Sequence, residues 1–163
     1  MGEDIEKAYI LHAKDVYKYL LSITGGNTHL SEELTQETFF RAMRTINSFD
    51  GSCKLSVWLC QIAKHLWYQH LQKQAKRRHD ELSHDLQGDN SPEDNIVLRS
   101  EKTALYKAIR TLPENMREVV HLRLTGEFTF AEIGEILGKT ETWARTTFYL
   151  AKLKIIEKME EKQ

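Results

Sequence analysis

Apolar residues recur along this chain every three or four positions, the rhythm of helices that each bury one side. In the first segment Ile5, Ala8, Tyr9, Leu11, Ala13, Val16, Tyr17, Leu20 and Leu21 keep that rhythm, and Gly25-Gly26 stops it near Thr24. Asn27 or Thr28 can cap a second helix running to about Ile46. Its inward stripe is Leu34, Thr38 or Phe39, Ala42 and Ile46, leaving Glu33, Gln36, Glu37, Arg41 and Arg44 on much of the other side. A polar turn, Asn47 to Ser52, precedes a third helix from about Leu55 to Arg78. Leu55, Trp58, Leu59, Ile62, Ala63 and Leu66 form its expected core face; Gln61, Lys64, His65, Tyr68 and Gln72 look outward.

The pattern then breaks. Residues 80–95 (DELSHDLQGDNSPEDN) are polar and acidic and read as a linker. Helical periodicity resumes at Ile96, continues through Val97, Leu98, Ala104, Leu105, Ala108, Ile109 and Leu112, and restarts after Pro113 with Met116, Val119, Val120, Leu122 and Leu124. Thr129-Phe-Ala-Glu132 has the form of a capping box opening a short helix, Phe130 to Leu137. Gly134 fits a close helix–helix approach, Gly138 a tight turn, and Thr140 a cap for a last helix ending near Lys158. Cap, small residue, glycine turn and second cap at these intervals predict a helix-turn-helix. The expected fold is all-α: two small helical domains, 1–79 and 96–163, joined by a short acidic linker.

Composition supports this. Two prolines and eight glycines in 163 residues argue against a turn-dense β fold. No run approaches the roughly 20 apolar residues that cross a bilayer, and the N-terminus has no basic segment followed by an apolar one. A cytoplasmic protein without membrane insertion is expected. Cys53 and Cys60 make no disulfide framework, and Cys60 and His65 lack a second pair at ligand spacing, so neither metal nor cofactor is expected.

Net charge is only -1, but its distribution is uneven. From Gln61 to His79 stand five cations (Lys64, Lys73, Lys76, Arg77, Arg78) and no acid. From Asp80 to Glu101 stand seven acids against Arg99 alone. A basic helix end beside an acidic stretch suggests a surface that faces phosphates. In that helix aromatics interleave with cations, as in proteins that stack unpaired bases and hold the strand. Trp58 sits at core spacing; Tyr68 and His65, on the polar side, suit contact better. In the last helix Ala144, Phe148, Ala151 and Ile155 form the expected buried stripe, with Glu141, Thr142, Arg145, Thr146, Tyr149 and Lys152 outward. Such a face can enter a major groove. Arg145 suits the fork on guanine O6 and N7, while Lys139, Lys152 and Lys154 suit phosphates. There is no glycine-rich phosphate loop, nucleophile elbow or paired-acid spacing, so no enzyme is expected.

Four stretches together resemble one family. LSEELTQETFFRA, Leu30 to Ala42, resembles the region 2.2 motif AEDLVQETFLRA of extracytoplasmic-function (ECF) sigma factors. Phe49 followed by WLCQIAKH, Trp58 to His65, is similar to their F…TWLYRIARN motif of regions 2.3 and 2.4. Leu112-Pro-Glu, Arg117-Glu-Val and FAEIGEILG, Phe130 to Gly138, resemble the region 4 pattern LPE…REV…YEEIAEILG. The last helix aligns without a gap to SEGTVKSRLYRARKKL. The likeness spans almost the whole chain in the right order.

The resemblance implies a region 2 bundle and a region 4 helix-turn-helix in a promoter-specificity subunit. By it, Glu33, Gln36, Glu37 and Arg41, on their own a solvated helix face, would contact the β′ clamp of core RNA polymerase. Region 2 would recognise and open the -10 element through Phe49, Ser52, Lys64, His65, Tyr68, Lys73, Arg77 and Arg78, holding one base outside the stack. Region 4 would read the -35 element through Thr140, Thr142, Arg145, Thr146, Tyr149 and Lys152 while docking on the β flap. The linker would run towards the active-site and RNA-exit region, and an anti-sigma factor would be a partner. His65 stands where the family usually has Asn, so the preferred flipped base does not carry over. Thr142-Trp-Ala-Arg145 replaces GTVK, and Thr147 and Leu150 replace two arginines, which should weaken phosphate contact or shift base preference. Two other classes compete: a stand-alone helix-turn-helix regulator, and a nucleic-acid-processing enzyme, which would need acidic metal ligands that the sequence does not offer.

Overall fold

The computed structural model describes residues 2–80, 100–124 and 128–161, and all regular structure among them is helical. Seven α-helices follow one another: α1 (Gly2–Ile23), α2 (Thr28–Thr45), α3 (Leu55–Asp80), α4 (Ser100–Arg110), α5 (Glu114–Leu124), α6 (Phe130–Leu137) and α7 (Glu141–Glu161). A single 3-10 turn, Ile46–Ser48, follows α2. The described helices fall into two compact units, α1–α3 and α4–α7. Of the expected linker only Asp80, the last residue of α3, is described; the rest, and the renewed periodicity at Ile96, Val97 and Leu98, lie outside the described residues.

In the first unit the three helices pack pairwise around Val16, Tyr19, Leu20, Leu34, Phe39, Leu59 and Ala63. Asn27 caps α2, its side-chain oxygen accepting from the Leu30 N–H at 3.0 Å. The inner face of α2 is wider and more polar than expected. Ser31, Thr35 and Thr38 are all buried there. Their hydroxyls escape the cost of unpaired burial by bonding locally: Thr35 donates to the Ser31 carbonyl and Thr38 to the Leu34 carbonyl, each at 2.7 Å. Ser31 meets Thr24 at 2.9 Å.

The face that α3 turns inward differs from the expected one. Leu59, Ala63 and Leu66 are buried as expected, but Val57, Cys60 and Trp67 join them, while Leu55, Trp58 and Ile62 are only half-buried. Apolar residues surround much of this helix's first half, so periodicity alone does not select a face. Trp67 is buried, its ring stacked on His70 at 5.8 Å, and Trp58 instead meets Phe49. Leu11 of α1, counted in the apolar rhythm, is 69% exposed.

In the second unit Ala108, Ile109, Leu112, Val120, Ala151 and Ile155 form one cluster, joined by half-buried Leu105, Met116, Phe148 and Met159. Pro113 precedes α5 and its carbonyl accepts the first helical bond, from Arg117 N–H at 3.0 Å. The box at α6 closes reciprocally: Glu132 N–H donates to the Thr129 hydroxyl at 3.1 Å, and Thr129 N–H to Glu132 Oε1 at 2.8 Å. Gly138 ends α6 with φ +70°, a left-handed conformation that costs a side chain dearly and glycine nothing. The close approach at Gly134 is to the turn itself, not to a neighbouring helix. A Cβ there would lie 2.7 Å from the Lys139 carbonyl oxygen and 2.9 Å from the Thr140 carbonyl carbon and oxygen. Thr140 caps α7, accepting from Trp143 N–H at 3.0 Å.

Candidate functional site

Three groups of residues carry the expected chemistry. On α2, Glu33, Gln36 and Glu37 are exposed and Arg41 is half-buried. Their spacing puts them along one side of the helix. His29 Nε2 lies 3.3 Å from Glu33 Oε1 in an exposed pair. Gln36 also borders a shallow groove between α1 and α2, lined by Tyr9, Ala13, Lys14, Tyr17, Glu32 and Thr35.

The second group divides. Lys64, His65 and Tyr68 share one turn of α3: Lys64 Nζ sits 5.1 Å from the Tyr68 ring centroid, and His65 Nε2 lies 3.1 Å from Gln69 Nε2. Lys73, Arg77 and Arg78 are exposed further along. At 1.5 Å per residue the span from Lys64 to Arg78 is about 21 Å, more than one nucleotide contact covers. Arg77, Arg78 and His79 occupy the last turn, where cations complement the helix dipole. The loop before α3 is ordered by its own polar groups. Asp50 Oδ1 accepts from Ser52 N–H at 2.9 Å, and bonds from the Ser52 side chain and backbone hold its carboxyl below the usual range. The Phe49 ring lies against Trp58, tilted by 35° with centroids 5.0 Å apart. Trp58 and His65, seven residues apart, lie on the same side of α3 about 10 Å from each other. Phe49 and His65 therefore flank one stretch of helix surface.

The third group is on the helix-turn-helix. Thr142, Arg145, Thr146, Tyr149 and Lys152 are all exposed on α7, and Thr140 is exposed with its hydroxyl engaged in the cap. Arg145 Nη2 donates to Glu141 Oε2 at 2.9 Å, an exposed pair, and its Cζ sits 5.3 Å from the Phe130 centroid. The apolar pattern predicts Phe148 in the buried stripe of α7. It is half-buried, and Thr147 takes the interior position. Of the two positions where the family resemblance supplies arginine, 147 is thus interior here, and only Leu150, 44% exposed, alters the outward surface. No motif in the sequence assigns Phe130 or Arg123 to this group, yet the Phe130 ring lies by both Arg145 and Arg123.

The outward face of α7 also changes character along its length. Thr142, Arg145 and Thr146 give way to Tyr149, Leu150, Leu153 and Ile156, each between 44% and 59% exposed.

Comparison with known proteins fixes the family. Residues 8–77 match the model of sigma-70 region 2, and residues 102–155 that of sigma-70 region 4. The ECF RNA polymerase sigma factor SigM of Bacillus subtilis is 31% identical over 157 residues, covering 93% of this chain and 92% of SigM. The chain belongs to the ECF RNA polymerase sigma factors. This sigma factor is also 31% identical over 149 residues to BldN of Streptomyces coelicolor, spanning 89% of itself and 56% of BldN. In fold it resembles the Bartonella quintana sigma factor RpoE, solved in complex with the anti-sigma factor NepR. The TM-score is 0.77 at 18% identity, over 97% of this chain and 98% of that one. An ECF sigma factor binds core RNA polymerase and directs promoter-specific initiation, a regulatory role. The SigM likeness crosses both helical units in chain order, which leaves the stand-alone regulator without support. Among the described residues no helix is long and apolar enough to cross a membrane.

Proposed function

We propose that residues 1–79 grip core polymerase and the opened -10 element, that residues 96–163 read the -35 element as duplex, and that residues 80–95 connect them. The observation that carries this reading is the exposed Arg145 fork on the second helix of a capped helix-turn-helix, the element that enters a major groove. In this reading Thr142, Thr146 and Tyr149 border the base edges, Thr140 and Lys152 meet phosphates, and the apolar end of α7 docks on the β flap. Glu33, Gln36, Glu37 and Arg41 meet the β′ clamp. Phe49, Ser52, His65 and Tyr68 border the extruded base, and Lys64, Lys73, Arg77 and Arg78 follow the strand. The protein catalyses no reaction itself and works in the cytoplasm. An anti-sigma partner is part of the proposal, since fold neighbours were solved with the anti-sigma factor NepR and with the cytosolic domain of CnrY.

In vitro transcription with core polymerase tests the assignment. Arg145→Ala should weaken discrimination at one -35 base pair by about tenfold, within the 1–3 kcal/mol of an arginine–guanine fork, and leave core affinity unchanged. Gln36→Ala with Glu37→Ala should do the reverse. Equal loss of both properties in either variant refutes its placement.

A further inference from the structure

Phe130 opens α6 but lies only half inside the unit. Two guanidiniums lie over its ring, Arg123 with Cζ 4.3 Å from the centroid and Arg145 at 5.3 Å. The Phe148 ring backs it at 5.6 Å. Arg123 is itself anchored, its Nη1 donating to the Phe128 carbonyl at 3.0 Å. Two cations sharing one ring repel each other. The negative face of the ring attracts both, and Glu141 offsets the charge on Arg145 through the 2.9 Å bond to Nη2. Nη2 carries two hydrogens, so that bond leaves one free, together with the hydrogens of Nη1.

A free arginine on a helix surface samples many rotamers and must lose them when it binds. Here the ring on one side and the carboxylate on the other restrict the arm before DNA arrives. We propose that Phe130 is a positioning residue for -35 recognition: its ring, with Glu141, holds the Arg145 guanidinium where it meets a base edge. Arg123 lies beside it as a second cation whose charge the approaching phosphates neutralise. This rests on the proposed reading of Arg145 and adds the residue on which that reading's accuracy depends.

The test uses the full chain with core polymerase, on duplexes selected by the wild-type holoenzyme from a library randomised across the -35 element. Arg145→Ala first identifies the base pair at which discrimination falls. Phe130→Leu keeps apolar bulk and removes the ring face, and should lower discrimination at that same base pair about threefold, the scale of one exposed cation–ring contact. Phe130→Tyr should restore it, and the Phe130→Leu/Arg145→Ala double variant should discriminate no worse there than Arg145→Ala alone. Wild-type discrimination in Phe130→Leu, or an equal loss at every position, overturns the inference while leaving the Arg145 reading intact. If Arg145→Ala affects no base pair, both fall together. A measurement on the unaltered protein covers misfolding of the leucine variant. The Arg145 Nε–H resonance should lie upfield of those of exposed Arg77 and Arg78 because of the ring current, and coincidence with them overturns the inference.

Discussion

The two candidate DNA faces of this sigma factor are held in place by different physics. In the first unit the Lys64–Tyr68 surface is the outer side of a long helix, fixed because Leu59, Cys60, Ala63, Leu66 and Trp67 are buried beneath it. Its position depends on volume contributed by all three successive helices of the unit, α1 to α3. In the second unit Arg145 is placed by a run of twelve residues, Thr129 to Thr140, through one capping box, one left-handed glycine, one close backbone approach and one further cap. The lesson is that the face proposed for opened DNA rests on bulk packing, whereas the face proposed to read duplex rests on a turn set by local bonds.

Substitutions can break this contrast, and hydrogen exchange, which resolves the two units, is the natural measurement. The largest effect belongs to Leu59→Ala, which should cost about 3 kcal/mol and deprotect α1–α3 while leaving α5–α7 as before. Loss in both units would show that they do not stand separately. Next is Gly134→Ala. Helix propensity alone favours alanine, but the backbone of Lys139 and Thr140 cannot yield as a side chain would, so a loss of about 2 kcal/mol confined to α4–α7 is expected. A stabilised variant would mean that the turn is not pinned.

Acid should also act on the second unit. Burial, aided by the Arg117 charge, pushes His121 down to about 4 from 6.5. The folded value lies below the unfolded one, so the unfolded chain binds the extra proton first. This contribution is complete above pH 6.5 and is lost as pH falls towards about 4, amounting to between about 1 and 2 kcal/mol from pH 7 to 5. Urea unfolding at the two pH values should show the difference shrinking in His121→Gln, and an unchanged difference sinks the assignment. The smallest effect expected is from Thr129→Ala, about 1 kcal/mol, felt as earlier exchange at the start of α6. Should it exceed the cost of Leu59→Ala, the contrast between bulk and local control would be reversed.

The same contrast explains what the sequence revealed. Devices that act within a few residues were legible: Asn27 as a cap, the Thr129/Glu132 box, Gly138 in the turn, Thr140 before α7. Burial across helices was less so. Trp58 stands at core spacing in the apolar pattern, yet the tertiary packing buries Trp67 and leaves Trp58 half-buried against Phe49. The pattern assigns Ser31, Thr35 and Thr147 to no buried stripe, because no local rule says that a hydroxyl will satisfy itself and let the position go inward. Outward residues such as Arg145 and His65 were identifiable as exposed. The cross-helix partner of Arg145, Phe130, emerges only once α6 and α7 are packed together.

The two cysteines carry a practical consequence. Cys60 is fully enclosed, and burial pushes its thiol far above the ordinary range, so the reactive anion is suppressed and no reagent reaches it. Cys53 is partly open, three residues after Asp50 in the loop before α3. A maleimide dye should therefore attach at one place in the native protein, giving a fluorescent reporter beside the proposed strand-opening surface with no cysteine engineered in or out.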